Sequence, residues 1–287
     1  MVTTTPVVDA HHHFWTPGDY DHYWMTGEEL APIRRPFRPG DMRPLLQEAG
    51  VDYTVLVQTV PSVEETREFM QIAAGSLFVA GVVGWVDLTS PRVAEELAEL
   101  KSRSDGETLV GFRHMVHDEA DPDWLRRADV QRGIAAVRDA DLAYDILIRP
   151  REIPAAIALA RALPDARLVV DHLAKPPIAS GEIATWAALM EPFRDMPHVY
   201  CKLSGMITEA NWSTWTPNDL RPYIAVALDV FGIDRVMYGS DWPVCLLAGS
   251  YLEVKQALVE ALPDLTPNER ARVLGGNAID FYRLPIE

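Results

Sequence analysis

The sequence predicts a (β/α)8 barrel, the TIM-barrel fold of the α/β class, on two observations. Eight apolar, β-branched runs recur along the 287 residues, and most are continuous, as in strands buried on both faces of a parallel sheet. Segments with helical periodicity separate these runs, which is the alternation of a barrel with short connections. A doubly wound open sheet is the alternative, and it is disfavoured because no glycine-rich phosphate loop follows the first strand.

The elements follow in chain order. We predict strands at 7–11, 53–59, 78–88, 109–116, 143–148, 167–173, 199–205 and 235–242. The predicted helices cover 41–50, 62–75, 90–103, 123–140, 151–163, 181–195, 216–231, 249–262 and 266–275. Helix 62–75 begins with the capping-box pattern Ser-Val-Glu-Glu and ends at glycine, whereas helix 266–275 begins with Thr-Pro, a good N-cap pair.

We expect residues 1–287 to form a single barrel domain, because no low-complexity tract or linker divides them. The longest irregular stretch, 16–40, is rich in Pro, Gly, Tyr, Trp and Arg. A loop of this length in a compact domain is usually a lid or a binding segment. Since it follows the first strand, we predict that it lies over the active-site mouth.

Composition excludes several classes of protein. The formal net charge of −16 argues against nucleic-acid binding, which requires basic patches. No apolar run approaches the length of a membrane span, and the first residues do not read as a signal peptide. Cys201 and Cys245 do not suggest a disulfide framework, so we expect a cytoplasmic protein.

The first predicted strand ends in a histidine cluster, Val7-Val8-Asp9-Ala10-His11-His12-His13. Side chains alternate along a strand, so His11 and His13 point to one face and His12 to the helical layer. Two imidazoles at this spacing converge on one point. That point suits a metal ion, a polarised carbonyl oxygen or a catalytic water.

Polar side chains follow nearly all eight predicted strands, where TIM barrels place their active sites. They are Gln58, Trp85, Asp87, Arg113, His114, His117, Arg149, Asp171, His172, Lys175, Lys202, Ser204, Ser240, Asp241 and Trp242. An aspartate can deprotonate a water, and imidazoles can hold a metal or stabilise an oxyanion. A Ser-His-Asp acyl-enzyme is the weaker option, because Ser240 lacks the glycine two residues later that a G-x-S-x-G elbow requires.

This ordered set of motifs resembles the amidohydrolase superfamily, whose barrels carry H-x-H on the first strand and a base aspartate on the eighth. It is most similar to the sugar-lactonase branch, typified by L-fuconolactonase and L-rhamnonolactonase. The matching stretches are DAHHHFW (9–15), AGVVGWVDL (80–88), GFRHMVHDEADPDW (111–124), DHLAKPPI (171–178), CKLSG (201–205), TPNDLRPY (216–223) and YGSDWPVCLL (238–247).

The resemblance implies a lactonase that opens an aldonolactone to the aldonic acid. Asp241 would be the general base, with His11, His13 and His172 lining the carbonyl. It further implies either no required cofactor or one divalent ion, zinc by preference, held by these same four residues. The predicted substrate contacts are Arg113, His114, Lys175, Trp24 and Trp85.

Two alternatives stay open at this stage. One is a metal-dependent decarboxylase, or another amidohydrolase, of the same barrel type. The other is a non-catalytic barrel that binds sugar acids. The expected partner is a small sugar lactone, with neither nucleic acid nor membrane; the sequence fixes neither the particular lactone nor the oligomeric state.

Overall fold

Eight parallel strands follow one another around a barrel in chain order in the computed structural model, which describes residues 5–286. The strands are β1 Val8–His12, β2 Tyr53–Val57, β3 Val79–Gly84, β4 Leu109–Met115, β5 Ala143–Leu147, β6 Leu168–Val170, β7 Val199–Leu203 and β8 Val236–Tyr238. His12 also pairs with Trp242, which follows β8, so the barrel is nearly closed. The predicted TIM-barrel fold is confirmed.

Helices lie between the strands, as the sequence predicts. They are α1 Pro39–Ala49, α2 Val63–Ala74, α3 Val93–Ser102, α4 Ala128–Asp139, α5 Ile153–Ala162, α6 Ala184–Met190, α7 Met206–Glu209, α8 Pro217–Phe231, α9 Tyr251–Ala261, α10 Pro267–Ala271 and α11 Asn277–Tyr282. Ser62 caps α2 by accepting a hydrogen bond from the Glu65 backbone N–H, as its capping-box pattern indicates. None of the helices among the described residues combines the length and apolar character needed to cross a membrane.

Several strands end earlier than predicted, and the difference places side chains at the barrel mouth. β6 stops at Val170 because His172 to Lys175 adopt left-handed backbone, with φ between 51° and 57°. β8 stops at Tyr238, and Asp241 is left-handed too, with φ 57°. An apolar run predicts a strand as far as the run continues, but left-handed backbone ends pairing whatever the side chains are.

The stretch 16–40 contains a short 3-10 turn, Glu28–Ile33. Its two ends are tied together, because the backbone N–H groups of Trp15 and Phe37 each donate to the other residue's carbonyl, at 3.2 and 2.8 Å. The Trp15 indole N–H also donates to the Ile33 carbonyl, at 3.0 Å. The ends of this loop are therefore held against the barrel by Trp15 and Phe37.

The last helix, α11, packs against the strands through a buried apolar cluster. Phe281 and Tyr282 belong to this cluster together with Val55, Val83 and Met237 of the strands. The Tyr282 hydroxyl donates to Oδ1 of Asp145 on β5, at 2.9 Å. The chain's final helix thus reaches a charged group inside the barrel.

Candidate active site

Three imidazoles surround one carboxylate oxygen at the carboxyl ends of β1, β6 and β8. Oδ1 of Asp241 lies 3.3 Å from His13 Nε2 and 3.7 Å from His11 Nε2. The same oxygen lies 3.9 Å from His172 Nε2. All four residues are buried. The alternation along β1 explains the arrangement, because it turns His11 and His13 inward and leaves His12 to contact Thr54 Oγ1 at 2.9 Å.

Two of these residues sit on left-handed backbone, His172 with φ 52° and Asp241 with φ 57°. Gly205 makes room for the first, since a Cβ there would lie 2.7 Å from His172 Nδ1. Backbone of this kind in residues that carry side chains is concentrated at functional sites, where it fixes the direction of a reacting group.

The hydrogen bonds orient the rings. His13 Nδ1 lies 2.7 Å from the Val57 carbonyl, which accepts only from an N–H, so the neutral ring carries its proton there. His13 Nε2 is then the acceptor nitrogen and faces His11 Nε2 at 3.2 Å. His172 Nδ1 lies 2.8 Å from the Ser204 hydroxyl, which leaves its Nε2 directed towards Asp241.

Burial and the close imidazoles set the charges. Burial lowers the pKa of His172 to about 4 and also lowers the pKa of His11 and His13. Burial on its own would raise the pKa of Asp241, but the neighbouring His172, His13 and His11 hold it well below its usual range. An ionised carboxylate therefore faces largely neutral imidazoles at neutral pH. This is the state that a general base requires.

A buried ion-pair network lies beneath this centre. Lys202 Nζ lies 2.5 Å from Asp145 Oδ2, 3.0 Å from Asp171 Oδ1 and 3.1 Å from His11 Nδ1. Arg113 Nη1 lies 3.2 Å from Asp171 Oδ2. Burial raises the pKa of Asp145 to about 6 despite Lys202, whereas Lys202 and His11 overcome the effect of burial and hold the pKa of Asp171 well below its ordinary range. Two cations and two carboxylates thus balance each other.

A cavity of about 510 Å³ opens above the centre, which is a usual size for a small-molecule site. Six residues predicted for the site line it: His13, Trp24, Arg113, His172, Lys175 and Asp241. His114 and Trp85 lie outside it, because strand alternation turns His114 away when Arg113 points inward. Instead, the Trp85 indole N–H donates to His114 Nδ1 at 3.0 Å, and His114 stacks on Trp124 at 4.3 Å.

The cavity wall contains polar pairs that the sequence did not single out. The Tyr23 hydroxyl donates to Asp118 at 2.9 Å, and Lys175 Nζ lies 3.0 Å from Glu209 Oε1. Nothing in the local sequence marks Tyr23, Asp118 or Glu209, since each is an ordinary loop or helix residue until the fold brings it to the mouth. Asp145 carried a signal that could have been used, because a lone carboxylate inside an apolar strand needs a buried partner.

The donor set fits a single divalent ion. His11, His172 and Asp241 each offer one ligand atom, and these atoms lie within 4.8 Å of one another. Two imidazole nitrogens and one carboxylate oxygen are typical zinc ligands, and catalytic zinc sites commonly use three protein ligands. His13, which the sequence also placed in this set, lies beside the group of three rather than within it.

Fold and site together define a TIM barrel of the amidohydrolase type, with H-x-H on the first strand and a base-competent aspartate after the eighth. The sequence matches the Amidohydrolase family over residues 8–284. The chain belongs to the amidohydrolase family, as its motifs predict.

Two lactonases are similar to this chain over nearly their whole length. An L-fucono-1,5-lactonase of Burkholderia ambifaria is 44% identical over 283 residues, covering 96% of this chain and 95% of the relative. An L-fucono-1,5-lactonase of Burkholderia multivorans is 38% identical over 290 residues, covering 97% and 96%. Crystal structures of an amidohydrolase from Burkholderia multivorans, one with bound HEPES and one with bound zinc, share 35% identity and a TM-score of 0.92, covering 98% of this chain and 100% of that one.

Proposed function

We propose that this protein is a lactonase that hydrolyses a sugar lactone to the aldonic acid. The observation that carries the proposal is an ionised Asp241 that faces three imidazoles at the base of a cavity of about 510 Å³. A relative with 44% identity over 96% of the chain is an L-fucono-1,5-lactonase, which favours a lactonase over the decarboxylase and binding-protein alternatives. The substrate class that we propose is therefore the aldonolactones, such as L-fuconolactone.

The reaction needs one base and stabilisation of one oxyanion. Asp241 takes a proton from water as the water oxygen bonds to the lactone carbonyl carbon. The bond between this carbon and the ring oxygen then breaks, and the ring oxygen leaves as a hydroxyl after receiving the proton that Asp241 holds. Arg113 and, when its Nε2 carries the proton, His172 supply hydrogen bonds to the carbonyl oxygen, and one such donor is typically worth about 3–4 kcal/mol of barrier.

A single divalent ion, zinc by preference, would be held by His11, His172 and Asp241. When bound, it would polarise the carbonyl or lower the pKa of a water. We propose that lactone opening does not require it, because a lactone is an activated ester and the cavity already offers a base and several donors. The stretch 16–40 contributes Trp24, Leu30 and Ile33 to the cavity wall, and we propose that it covers the bound lactone.

The test is a set of aldonolactones followed with a pH indicator, since hydrolysis releases an acid. Wild-type protein should open at least one of them. Asp241→Asn should keep the fold and lower kcat by about 10²–10⁴, the usual contribution of a general base. Asp87→Asn is the matched control, because Asp87 is exposed and its carboxylate accepts hydrogen bonds from Thr89, away from the cavity above Asp241.

Two results would contradict this proposal. If the wild-type protein opens none of the lactones, the lactonase function is wrong. If Asp241→Asn retains nearly full kcat on a lactone that the wild type opens, the lactonase function stands and the role given to Asp241 is wrong.

A further inference from the structure

Arg113 places a fixed positive charge against a histidine that belongs to the metal-capable group. Its Nη1 lies 3.1 Å from His11 Nε2, the ring nitrogen that also faces Asp241. The guanidinium is buried and held on both sides, since Nη1 lies 3.2 Å from Asp171 Oδ2 and Nη2 donates to the Gln58 carbonyl. The guanidinium is therefore fixed at the floor of the site, unlike an exposed arginine side chain.

A second cation approaches the other nitrogen of the same ring. Lys202 Nζ lies 3.1 Å from His11 Nδ1 and is itself held by Asp145 and Asp171. Ammonium and guanidinium groups donate hydrogen bonds and accept none, whereas a neutral imidazole has only one acceptor nitrogen. A neutral His11 can therefore accept a hydrogen bond from Arg113 or from Lys202, but not from both.

Each arrangement removes His11 Nε2 as a free ligand. If Nδ1 accepts from Lys202, then Nε2 carries the proton and points towards the acceptor nitrogen of His13, 3.2 Å away. If Nε2 is unprotonated, its lone pair accepts from Arg113 instead. A divalent ion that uses this nitrogen must displace one of these contacts and then sit close to the guanidinium.

We propose that the guanidinium of Arg113 occupies the place of a metal cation beside His11 and keeps the affinity of this site for divalent ions low. The guanidinium competes for His11 Nε2 and repels a doubly charged ion at a buried site, where repulsion between like charges is stronger than in bulk water. Its charge also takes up the electrostatic role that an ion would have beside the carbonyl oxygen, a consequence that rests on the proposed lactonase function. The effect on metal affinity does not depend on that function.

The test is the affinity of the metal-free protein for Zn²⁺, measured in competition with a chromophoric chelator, for the wild type and Arg113→Gln. Glutamine keeps a polar group near Gln58 and Asp171 but removes the charge. We expect Arg113→Gln to bind Zn²⁺ about 10- to 100-fold more tightly, the range that groups around metal ligands typically control. With Co²⁺ in place of Zn²⁺, the variant should develop the visible absorption of a nitrogen- and oxygen-ligated ion at lower metal concentration.

Arg149→Gln is the matched control, because Arg149 lines the same cavity beside His117 and its loss removes the same charge. Arg113→Lys keeps the charge and should stay closer to the wild type than Arg113→Gln. Circular dichroism checks that each variant folds. For the wild type itself, protein desalted without chelator should hold well under one zinc per chain.

Three outcomes would overturn the proposal. They are an Arg113→Gln affinity equal to that of the wild type, an equal gain in affinity for Arg149→Gln, and stoichiometric zinc that stays on the desalted wild type. The last measurement needs no variant, so it decides even if Arg113→Gln does not fold. None of the readouts uses a lactone, so a failure here is distinct from a failure of the lactonase function.

Discussion

His172 and Asp241 present their side chains from left-handed backbone, which costs on the order of 1–3 kcal/mol for each residue that carries a side chain. The surroundings offset this cost. The Asp241 backbone N–H donates to the His11 carbonyl at 2.8 Å, and His172 Nδ1 lies 2.8 Å from the Ser204 hydroxyl. Both side chains are therefore fixed in direction before a substrate arrives, which is how a site reduces the reorganisation needed at the transition state.

The Ser204 contact gives a prediction at the scale of one atom. Ser204→Ala removes the partner of His172 Nδ1, so the ring loses the contact that directs its Nε2 towards Asp241. We expect kcat on the best lactone to fall about 10- to 100-fold, as for other groups that orient a reacting histidine. Steady-state kinetics give the rate, and thermal denaturation should show only a small loss of stability.

Ser180→Ala is the control, because Ser180 is exposed in a turn and donates to the Pro177 carbonyl at 2.9 Å. A Ser204→Ala variant with an unchanged kcat would mean that packing alone orients His172. An equal loss of kcat in both variants would mean that the effect is not specific to this contact.

Some site residues could be predicted from the sequence and others could not, for a physical reason. His11, His13, His172 and Asp241 follow apolar strands, and strand ends in a barrel meet at one face whatever the loops do. His114 does not line the cavity above Asp241, because Arg113 and His114 are adjacent and only one of two adjacent strand residues points inward, so its contact with substrate stays a prediction. The pairing of Lys202 with Asp145 joins residues 57 positions apart, so no local pattern reports it.

At the scale of elements, the position of Trp24 in the cavity wall depends on α2. Glu65 of α2 forms hydrogen bonds with Thr59 in the loop after β2, and Thr59 in turn forms a hydrogen bond with Trp24. Oε2 of Glu65 accepts from the Thr59 backbone N–H at 2.8 Å, and the Thr59 hydroxyl donates to Oε1. The Thr59 carbonyl accepts from the Trp24 indole N–H at 2.9 Å. The position of the aromatic wall thus depends on a helix outside the barrel.

Trp24→Phe tests whether this chain of contacts serves substrate binding. Phenylalanine keeps an aromatic ring but loses the hydrogen bond to Thr59, whose net value is typically about 0.5–1.5 kcal/mol. We expect KM for the lactone to rise about 3- to 10-fold with little change in kcat, measured by steady-state kinetics. The control is Trp215→Phe, since Trp215 likewise donates its indole N–H, to the Ala248 carbonyl at 2.8 Å, but does not line the cavity above Asp241.

If Trp24→Phe lowers the melting temperature and leaves KM unchanged, the loop serves packing rather than substrate binding. A fall in kcat with unchanged KM would also contradict the prediction, because it would place Trp24 in the chemical step.

For the whole molecule, the repeat of strand and helix is what made the fold predictable. The eight strands and most of the helices follow from local patterns of apolar residues and caps, whereas α7 and α11 were not predicted; sequential strands pair in the barrel. Strand ends were less predictable, because the left-handed turn at His172 to Lys175 depends on space provided by Gly205, which follows β7. The buried network around Lys202 was least predictable, since its members lie on β1, β4, β5 and β7, directly after β6, and on α11.

Stability also depends on pH through buried carboxyl groups outside this network, and Glu65 on α2 gives the clearest case. Burial raises the pKa of Glu65 to about 7 from an ordinary value of 4.5, although hydrogen bonds from Thr59 and Val60 oppose the rise. The folded state therefore favours the protonated carboxyl. Its contribution to stability is complete below pH 4.5 and is lost as the pH rises through about 7, because the unfolded chain ionises first.

We expect the free energy of unfolding of Glu65→Gln to be close to that of the wild type near pH 4.5 and to exceed it as the pH approaches 7 and above. The difference should grow to at most about 3 kcal/mol, from 1.36 kcal/mol per pKa unit. Urea denaturation at a series of pH values measures it. Glu68→Gln, an exposed neighbour on the same helix, should give a difference from the wild type that does not grow in this way. A Glu65→Gln difference that stays constant with pH would mean that the pKa of Glu65 is the same in the folded and unfolded protein, and that its hydrogen bonds to the loop after β2 offset the cost of burying its charge.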